Sequence, residues 1–340
     1  MKKLLLLAFS LSSILMHGQI DNIFAAQSDA NKFVTDFTRP VFKGLMYATN
    51  AGWVTTAKPL KAFHLQLSIS ASGAFVPAQD EYFTFNQNDY NYLQIKSGPS
   101  DLPTVMGGPS QTRLQVVIPD NNGNEFKVFE FNAPDGVKNE LPVNAVPAPM
   151  AQLSVGLPLG TEVNLRYTPK IKSNDGGHFQ ILGLGVKHSI SQYFPKSKDT
   201  KKKTHFNLAA HAAIQNISAG YDDPSSDKGA RLNMTSVSLQ GIASLDYKFL
   251  SLYSALGFSK GFSQMDVLGT YNYTYDIRDS NGNLIRTESV TMTDPLSLKY
   301  DLNGLKAKLG VKLKLFFLQI FADYTLQEYP VATAGISLKY

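Results

Sequence analysis

The sequence predicts an all-β fold, a transmembrane antiparallel up-and-down β-barrel of about 10 strands, and three observations predict it. From Ala62 to Tyr340 apolar and polar side chains alternate with period two, in runs longer than the five or six residues usual for a globular strand. The runs follow one another as hairpins, with tight turns on one side and long connections on the other. Beyond Gly18 no stretch reaches the roughly 18 apolar residues of a spanning helix, so any membrane crossing must use strands.

Residues 1–18 read as a signal peptide. Lys2 and Lys3 precede an apolar run from Leu4 to Leu15 that is too short and too early for a membrane helix, and Gly18 offers the cleavage point. Residues 19–60 read as an N-terminal helical segment, a plug or a periplasmic cap. Its helix spans Asp29 to Met46, capped by Ser28 or Asp29, with Phe33, Phe37, Val41 and Leu45 spaced by four along one side. Pro40 is expected to kink or divide it. These four residues and Trp53 are the plug candidates, because such side chains need a surface to cover.

Residues 61–340 read as the barrel. Between Ala62 and Val76, Phe63, Leu65, Leu67, Ile69, Ala71, Gly73 and Phe75 alternate with His64, Gln66, Ser68, Ser70 and Ser72. Leu153, Val155 and Leu157 lead through a turn at Pro158–Gly160 to Val163, Leu165 and Tyr167, opposite Glu162, Asn164 and Arg166. Strands are expected at about 178–190, 205–219, 231–247 and 250–269. The sharpest alternation sets Leu305, Ala307, Leu309, Val311, Leu313 and Leu315 against Lys306, Lys308, Lys312 and Lys314. A turn at Phe316 and Phe317 then leads to strands at 318–327 and 332–340.

With the N-terminus in the periplasm, the tight connections at 158–160, 248–249 and 316–317 fall on the periplasmic side, and those at 77–148, 220–230 and 271–301 fall outside. The connection at 192–203 runs against this pattern, being long, rich in lysine (Lys196, Lys198, Lys201, Lys202, Lys203) and periplasmic. The count becomes 12 if Arg113–Ile118 and Glu125–Phe131 join the barrel, and Asn-Gly turns are expected at Asn121–Asn124 and Asn281–Asn283.

A β-sandwich also alternates, but strand length, hairpin order and the aromatics at strand ends favour a barrel. Those aromatics are Phe63, Phe75, Tyr167, Tyr247, Phe249, Phe258, Phe316, Phe317 and Tyr324. Hydrocarbon tolerates no unpaired backbone group, so a lipid-exposed sheet must close, and closure turns the apolar face outward. Lys306, Lys308, Lys312, Lys314, Arg166, Glu162, Asp246, Asp323, His64 and His211 are then the lumen-facing candidates. Leu309→Arg should be costly and Lys308→Gln mild.

Several blocks resemble a Bacteroidota-type outer-membrane barrel family of unknown function. They are Pro147–Lys170, with Gln152, Gly156-Leu157-Pro158, Gly160-Thr161-Glu162 and Arg166-Tyr167; Gly183 to His188; Asn50-Ala51-Gly52-Trp53 with Ala57-Lys58-Pro59; and Leu102-Pro103-Thr104 with Gly107. An N-terminal segment entering a barrel is also remotely similar to the outer-membrane long-chain fatty-acid transporters. The resemblance implies location in the outer membrane and assigns no chemistry.

Cysteine is absent, which excludes disulfides and a lipid-bearing cysteine. Without the two signal-peptide lysines the formal charge falls from +5 to +3, which does not suggest nucleic acid. No cofactor or metal is expected: His205 and His211 share a strand face about 20 Å apart, and Asp222, Asp223 and Asp227 lack the spacing of a calcium loop. No enzyme is expected either, since His64 and Ser68 lie too far apart along one strand and no Gly-x-Ser-x-Gly elbow occurs. The lysine face suggests a passive channel or transporter for small lipophilic or anionic solutes. The alternative is a structural or partner-binding barrel with a plugged lumen that presents its outer loops. Expected partners are outer-membrane lipid and, through the C-terminal strand ending at Tyr340, the barrel-assembly machinery.

Overall fold

A computed structural model describes residues 27–119, 125–172, 176–194, 205–278 and 283–340. The signal peptide, both Asn-Gly turn tips and the lysine cluster at 196–203 lie outside the described residues.

Among the described residues one α-helix, α1 (Gln27–Thr49), precedes seventeen strands. In chain order these are β1 (Leu65–Phe75), β2 (Tyr82–Thr84), β3 (Leu93–Ser97), β4 (Asp101–Pro103), β5 (Arg113–Pro119), β6 (Glu125–Asn132), β7 (Ala145–Leu157), β8 (Thr161–Lys172) and β9 (Gly177–Ser189). There follow β10 (Phe206–Asp222), β11 (Gly229–Asp246), β12 (Leu250–Leu268), β13 (Thr270–Arg278), β14 (Leu284–Thr293), β15 (Leu296–Leu315), β16 (Leu318–Leu326) and β17 (Val331–Lys339). Ten of them close an antiparallel barrel in the order β1-β17-β16-β15-β12-β11-β10-β9-β8-β7. The chain's last residue seals the seam: Leu65 N–H donates to the Tyr340 carbonyl at 3.1 Å, and Tyr340 N–H returns the bond at 2.9 Å.

The twelve-strand alternative is overturned. β5 and β6 pair with each other and with β3, and β6 meets β13, giving a separate sheet β14-β13-β6-β5-β3 at the end of the long connections, here called the loop end. The opposite rim is the turn end. Three boundaries also differ from the expected ones: β7 begins at Ala145, β15 at Leu296, and β11 at Gly229, so the connections are shorter than the expected 77–148, 271–301 and 220–230. The first strand starts at Leu65, because Phe63 adopts a positive φ of 65° that breaks the extended run.

The facing code changes sign along the tall strands, which the alternation alone does not reveal. In β15 the even positions point inward throughout. Near the turn end they are Lys306, Lys308, Lys312 and Lys314, with Leu305, Leu309, Val311, Leu313 and Leu315 outward. Near the loop end they are Leu296, Leu298, Tyr300 and Leu302, with Ser297, Lys299, Asp301 and Asn303 outward. The neighbours change at matching heights: Val237 and Thr235 of β11 lie beside Ile214 and Asn216 of β10. The outward apolar belt thus has a defined edge. Its eleven residues from Leu305 to Leu315, at about 3.4 Å rise and a tilt near 40°, cover about 26 Å, the height of the apolar band of a membrane barrel. Above that edge the wall has a water-soluble outside and an oily inside.

Helix α1 fills that oily upper chamber. Phe33, Phe37, Phe42, Met46 and Tyr47 are fully enclosed, packed with Leu298, Tyr300 and Leu302 of β15 and with Leu102, Val105 and Met106 of the 77–144 insertion. The helix starts at the loop end, where Asp29 accepts from the backbone N–H groups of Asn91, Tyr92 and Leu93 at 3.1, 2.7 and 2.9 Å. It runs inward, so it is a plug and not a cap beneath the turn end. Pro40 does not divide it. The surrounding wall holds the helix together, and Val105 N–H bonds the Phe37 carbonyl at 2.8 Å. The plug candidates Phe33, Phe37, Val41 and Trp53 are buried and Leu45 is half-buried.

Candidate functional site: the plug and its seat

Below the helix, residues 50–61 descend through the lumen to the turn end, and most lumen charges hold this segment. Arg166, 1% exposed, is the central anchor. Its guanidinium donates to the carbonyls of Thr49 and Ala51, both at 2.7 Å, the first among the acceptors that the end of α1 leaves open and the second just beyond it. It also donates to Gln152 and Gln215 at 3.1 and 3.3 Å, and its plane lies 3.8 Å from the Trp53 ring centroid. One side chain thus satisfies a helix end, stacks on the plug's indole and ties both to the wall.

Trp53 has room because β9 carries glycine on its inward face. A Cβ on Gly183 would stand 3.0 Å from the indole, and one on Gly185 would stand 3.2 Å from it and 2.8 Å from His211 Nε2. The same logic operates lower down, where a Cβ on Gly156 would meet the Lys61 carbonyl at 2.0 Å. Glycine inside a strand marks the close approach of another part of the chain.

The remaining contacts follow the plug downward. Gln152 donates to the Trp53 carbonyl at 3.0 Å, Lys308 to that of Val54 at 3.3 Å, Lys312 to the Thr55 hydroxyl at 3.1 Å and Lys187 to the Thr56 carbonyl at 3.4 Å. Thr56 bonds both oxygens of Asp246 at 2.9 Å, Ala57 N–H donates to Ser244, and Leu60 N–H donates to Glu162 at 2.9 Å. Cations of the wall take plug acceptors, and anions take plug donors.

The lysine face of β15 therefore does not line an open pore. Lys306 bonds Ser238 at 2.8 Å, Lys308 lies 3.7 Å from Asp323, and Lys314 lies 3.3 Å from Asp246. Tyr253 adds a bond to Asp323 at 2.9 Å. Lys308→Gln would leave the buried Asp323 without its ion partner, so it is not the mild change that the strand pattern alone suggests. His211 is buried and accepts from Gln240 at 3.1 Å. His64, expected to face the lumen, instead sits exposed on the turn-end rim, before β1 begins, and is no part of the lumen wall. Its Nδ1 is near the Ala62 carbonyl, and Ser68 bonds Ser337. Asp223 is occupied by Ser225 and Ser226, and Asp227 by the Thr270 N–H, which lowers both carboxyls below their usual range.

The blocks behind the family resemblance meet at this seat. Asn50 to Trp53 is the plug itself; Gln152, Glu162, Arg166, Gly183, Gly185 and Lys187 are the wall against it. Leu102 and Thr104 belong to the insertion over α1.

Fold and seat together define a class, a closed ten-stranded β-barrel whose lumen is filled by its own N-terminal segment. Within that class the chain belongs to a family of unknown function, DUF6588, whose profile matches residues 1–340. No curated protein matches it. Among solved structures it is similar to the attachment invasion locus protein Ail of Yersinia pestis at 8% identity and TM-score 0.22, over 82% of this chain and 99% of that one. It is also similar to a Pseudomonas aeruginosa FadL homologue at 11% identity and TM-score 0.23, over 89% and 95%. A third is the translocator domain of the autotransporter NalP from Neisseria meningitidis, at 10% and 0.22, over 87% and 92%. Likenesses this weak decide neither chemistry nor ligand, and the fold rests on the chain's own strand pairing.

Proposed function

We propose that this protein is an integral outer-membrane barrel that is closed at rest by its own N-terminus and presents its loop-end sheet to a partner. Membrane embedding is supported by the outward apolar belt and by aromatics at its two edges. Phe63, Phe206, Phe249, Phe316, Phe317 and Tyr340 are exposed at the turn end, and Tyr167 and Phe258 higher up. The short turns then face the periplasm and the loop-end sheet faces outward, while the C-terminal strand ending at Tyr340 is available to the assembly machinery.

The observation that carries the closed state is Arg166, buried mid-lumen and bonded at once to plug backbone, plug indole and wall. An open pore would leave that guanidinium in water. The passive-channel reading for lipophilic or anionic solutes requires the plug to leave its seat; what favours it is the surplus of lysine below the seat. Flux of small anions into liposomes separates the two. The closed reading expects no flux through the full mature chain and flux once residues 19–60 are deleted; steady flux through the full chain would overturn it.

A further inference from the structure

The plug does not use all the charge at the turn end. A cavity of about 180 Å³ lies between the descending segment and the walls, lined by Lys58, Lys61, Lys187, Lys312, Lys314 and Lys339 but by only two carboxylates, Glu162 and Asp246. Both acids are already paired: Lys187 lies 2.9 Å from Glu162, and Lys314 lies 3.3 Å from Asp246. Lys58, Lys61, Lys312 and Lys339 have no carboxylate partner among the described residues.

Lys312 is the telling member. It is 3% exposed, and its ammonium has the Thr55 hydroxyl as its hydrogen-bond acceptor, which leaves two of its three donors unmet among the described residues. A buried ammonium short of acceptors is costly. Lys58 and Lys61 stand exposed on the rim, so the cations descend from solvent to a buried floor. Water fits such a space but supplies no charge, whereas a multivalent oxyanion supplies both charge and several acceptors at once.

We propose that this cavity is a binding site for a phosphate-class oxyanion that enters from the turn end. The site is a property of the barrel interior and stands whether or not the barrel conducts. The test is equilibrium dialysis of radiolabelled inorganic phosphate against the full mature chain in non-ionic detergent, with short-chain dihexanoyl phosphatidic acid as competitor.

Saturable binding of one phosphate per chain is expected. Losing one buried charged contact should weaken it about tenfold or more in Lys312→Gln, while the rim change Lys61→Gln should weaken it about threefold. Lys299→Gln, on the outer face near the loop end, should bind as wild type. Phosphatidic acid competing far better than free phosphate would identify a lipid head group as the ligand; equal competition would identify the free ion. Absence of saturable binding by the wild type would overturn the proposal. So would wild-type binding by Lys61→Gln and Lys339→Gln with both still migrating as folded, heat-modifiable barrels, a comparison that does not depend on how Lys312→Gln folds. Dialysis reads no flux, so failure here is distinct from failure of the closed-barrel reading.

Discussion

Replacing Arg166 by methionine keeps much of the side-chain length and removes the guanidinium that seats the plug. The Thr49 and Ala51 carbonyls, each bonded at 2.7 Å, then lose a buried charged donor, at about 1–3 kcal/mol apiece. Stacking on Trp53 at 3.8 Å is worth about 2 kcal/mol more when desolvated. Against these, methionine escapes the several kcal/mol needed to bury a guanidinium. The balance is a loss of about 2–4 kcal/mol in plug seating, which raises the unseated population roughly 30- to 1000-fold. Trp53 is the chain's single tryptophan, so indole fluorescence reports this position alone. In the wild type Trp53 should resist acrylamide quenching until high urea; in Arg166→Met the urea needed to expose it should fall well before the barrel itself unfolds. An unchanged or higher urea threshold would refute the assignment of Arg166 as the anchor.

Gly185→Val forces a Cβ to within 3.2 Å of the indole and 2.8 Å of His211 and should cost about 1–3 kcal/mol by overpacking, seen as a red-shifted Trp53 emission with β content by circular dichroism unchanged. Leu309→Arg, in the outward belt, should cost about 2–4 kcal/mol in lipid-bilayer unfolding, whereas Asp301→Arg, on the same outward face above the belt edge, should be tolerated; equal costs would refute the change from a polar to an apolar outer surface between Asn303 and Leu305. At the loop end, burial opposes the ionisation of Glu328, but Lys43 and the Tyr47 hydroxyl hold its carboxyl below the usual glutamate range. A depressed carboxyl stabilises above its unfolded pKa of about 4.3 and loses that contribution as pH falls through the folded value. Protection factors of the α1 amides should therefore fall below about pH 4 in the wild type and be less pH-dependent there in Glu328→Gln.

Much of the barrel was legible because a two-faced strand writes its facing into every second residue. Leu305 to Leu315 against Lys306 to Lys314 needs no structure to read. The upper half of the same strand was not legible, since Leu296, Leu298, Tyr300 and Leu302 are apolar on what had been the charged face, and only the enclosed helix explains why. The role of the lumen charges was hidden for a different reason. Arg166, Lys308 and Lys187 bond plug carbonyls, and a backbone acceptor leaves no mark in a sequence. A usable signal did exist in Gly183 and Gly185, two glycines on the inward face of one strand, which announce that something large lies against them. The helix was legible as a helix, but Thr38, Thr49 and Asn50 gave no hint of burial on its remaining faces.

The N-terminal segment occupies the lumen of the closed barrel, and a crosslink between plug and wall reports that placement. The Thr56 and Ser244 hydroxyl oxygens lie 3.2 Å apart, one on the plug and one on β11. In a chain without cysteine, Thr56→Cys with Ser244→Cys should close a disulfide under mild oxidation in intact outer membranes and shift the unfolded protein's gel mobility until reduced. Free labelling of both thiols by a water-soluble maleimide, with no crosslink formed, would place the segment outside the lumen.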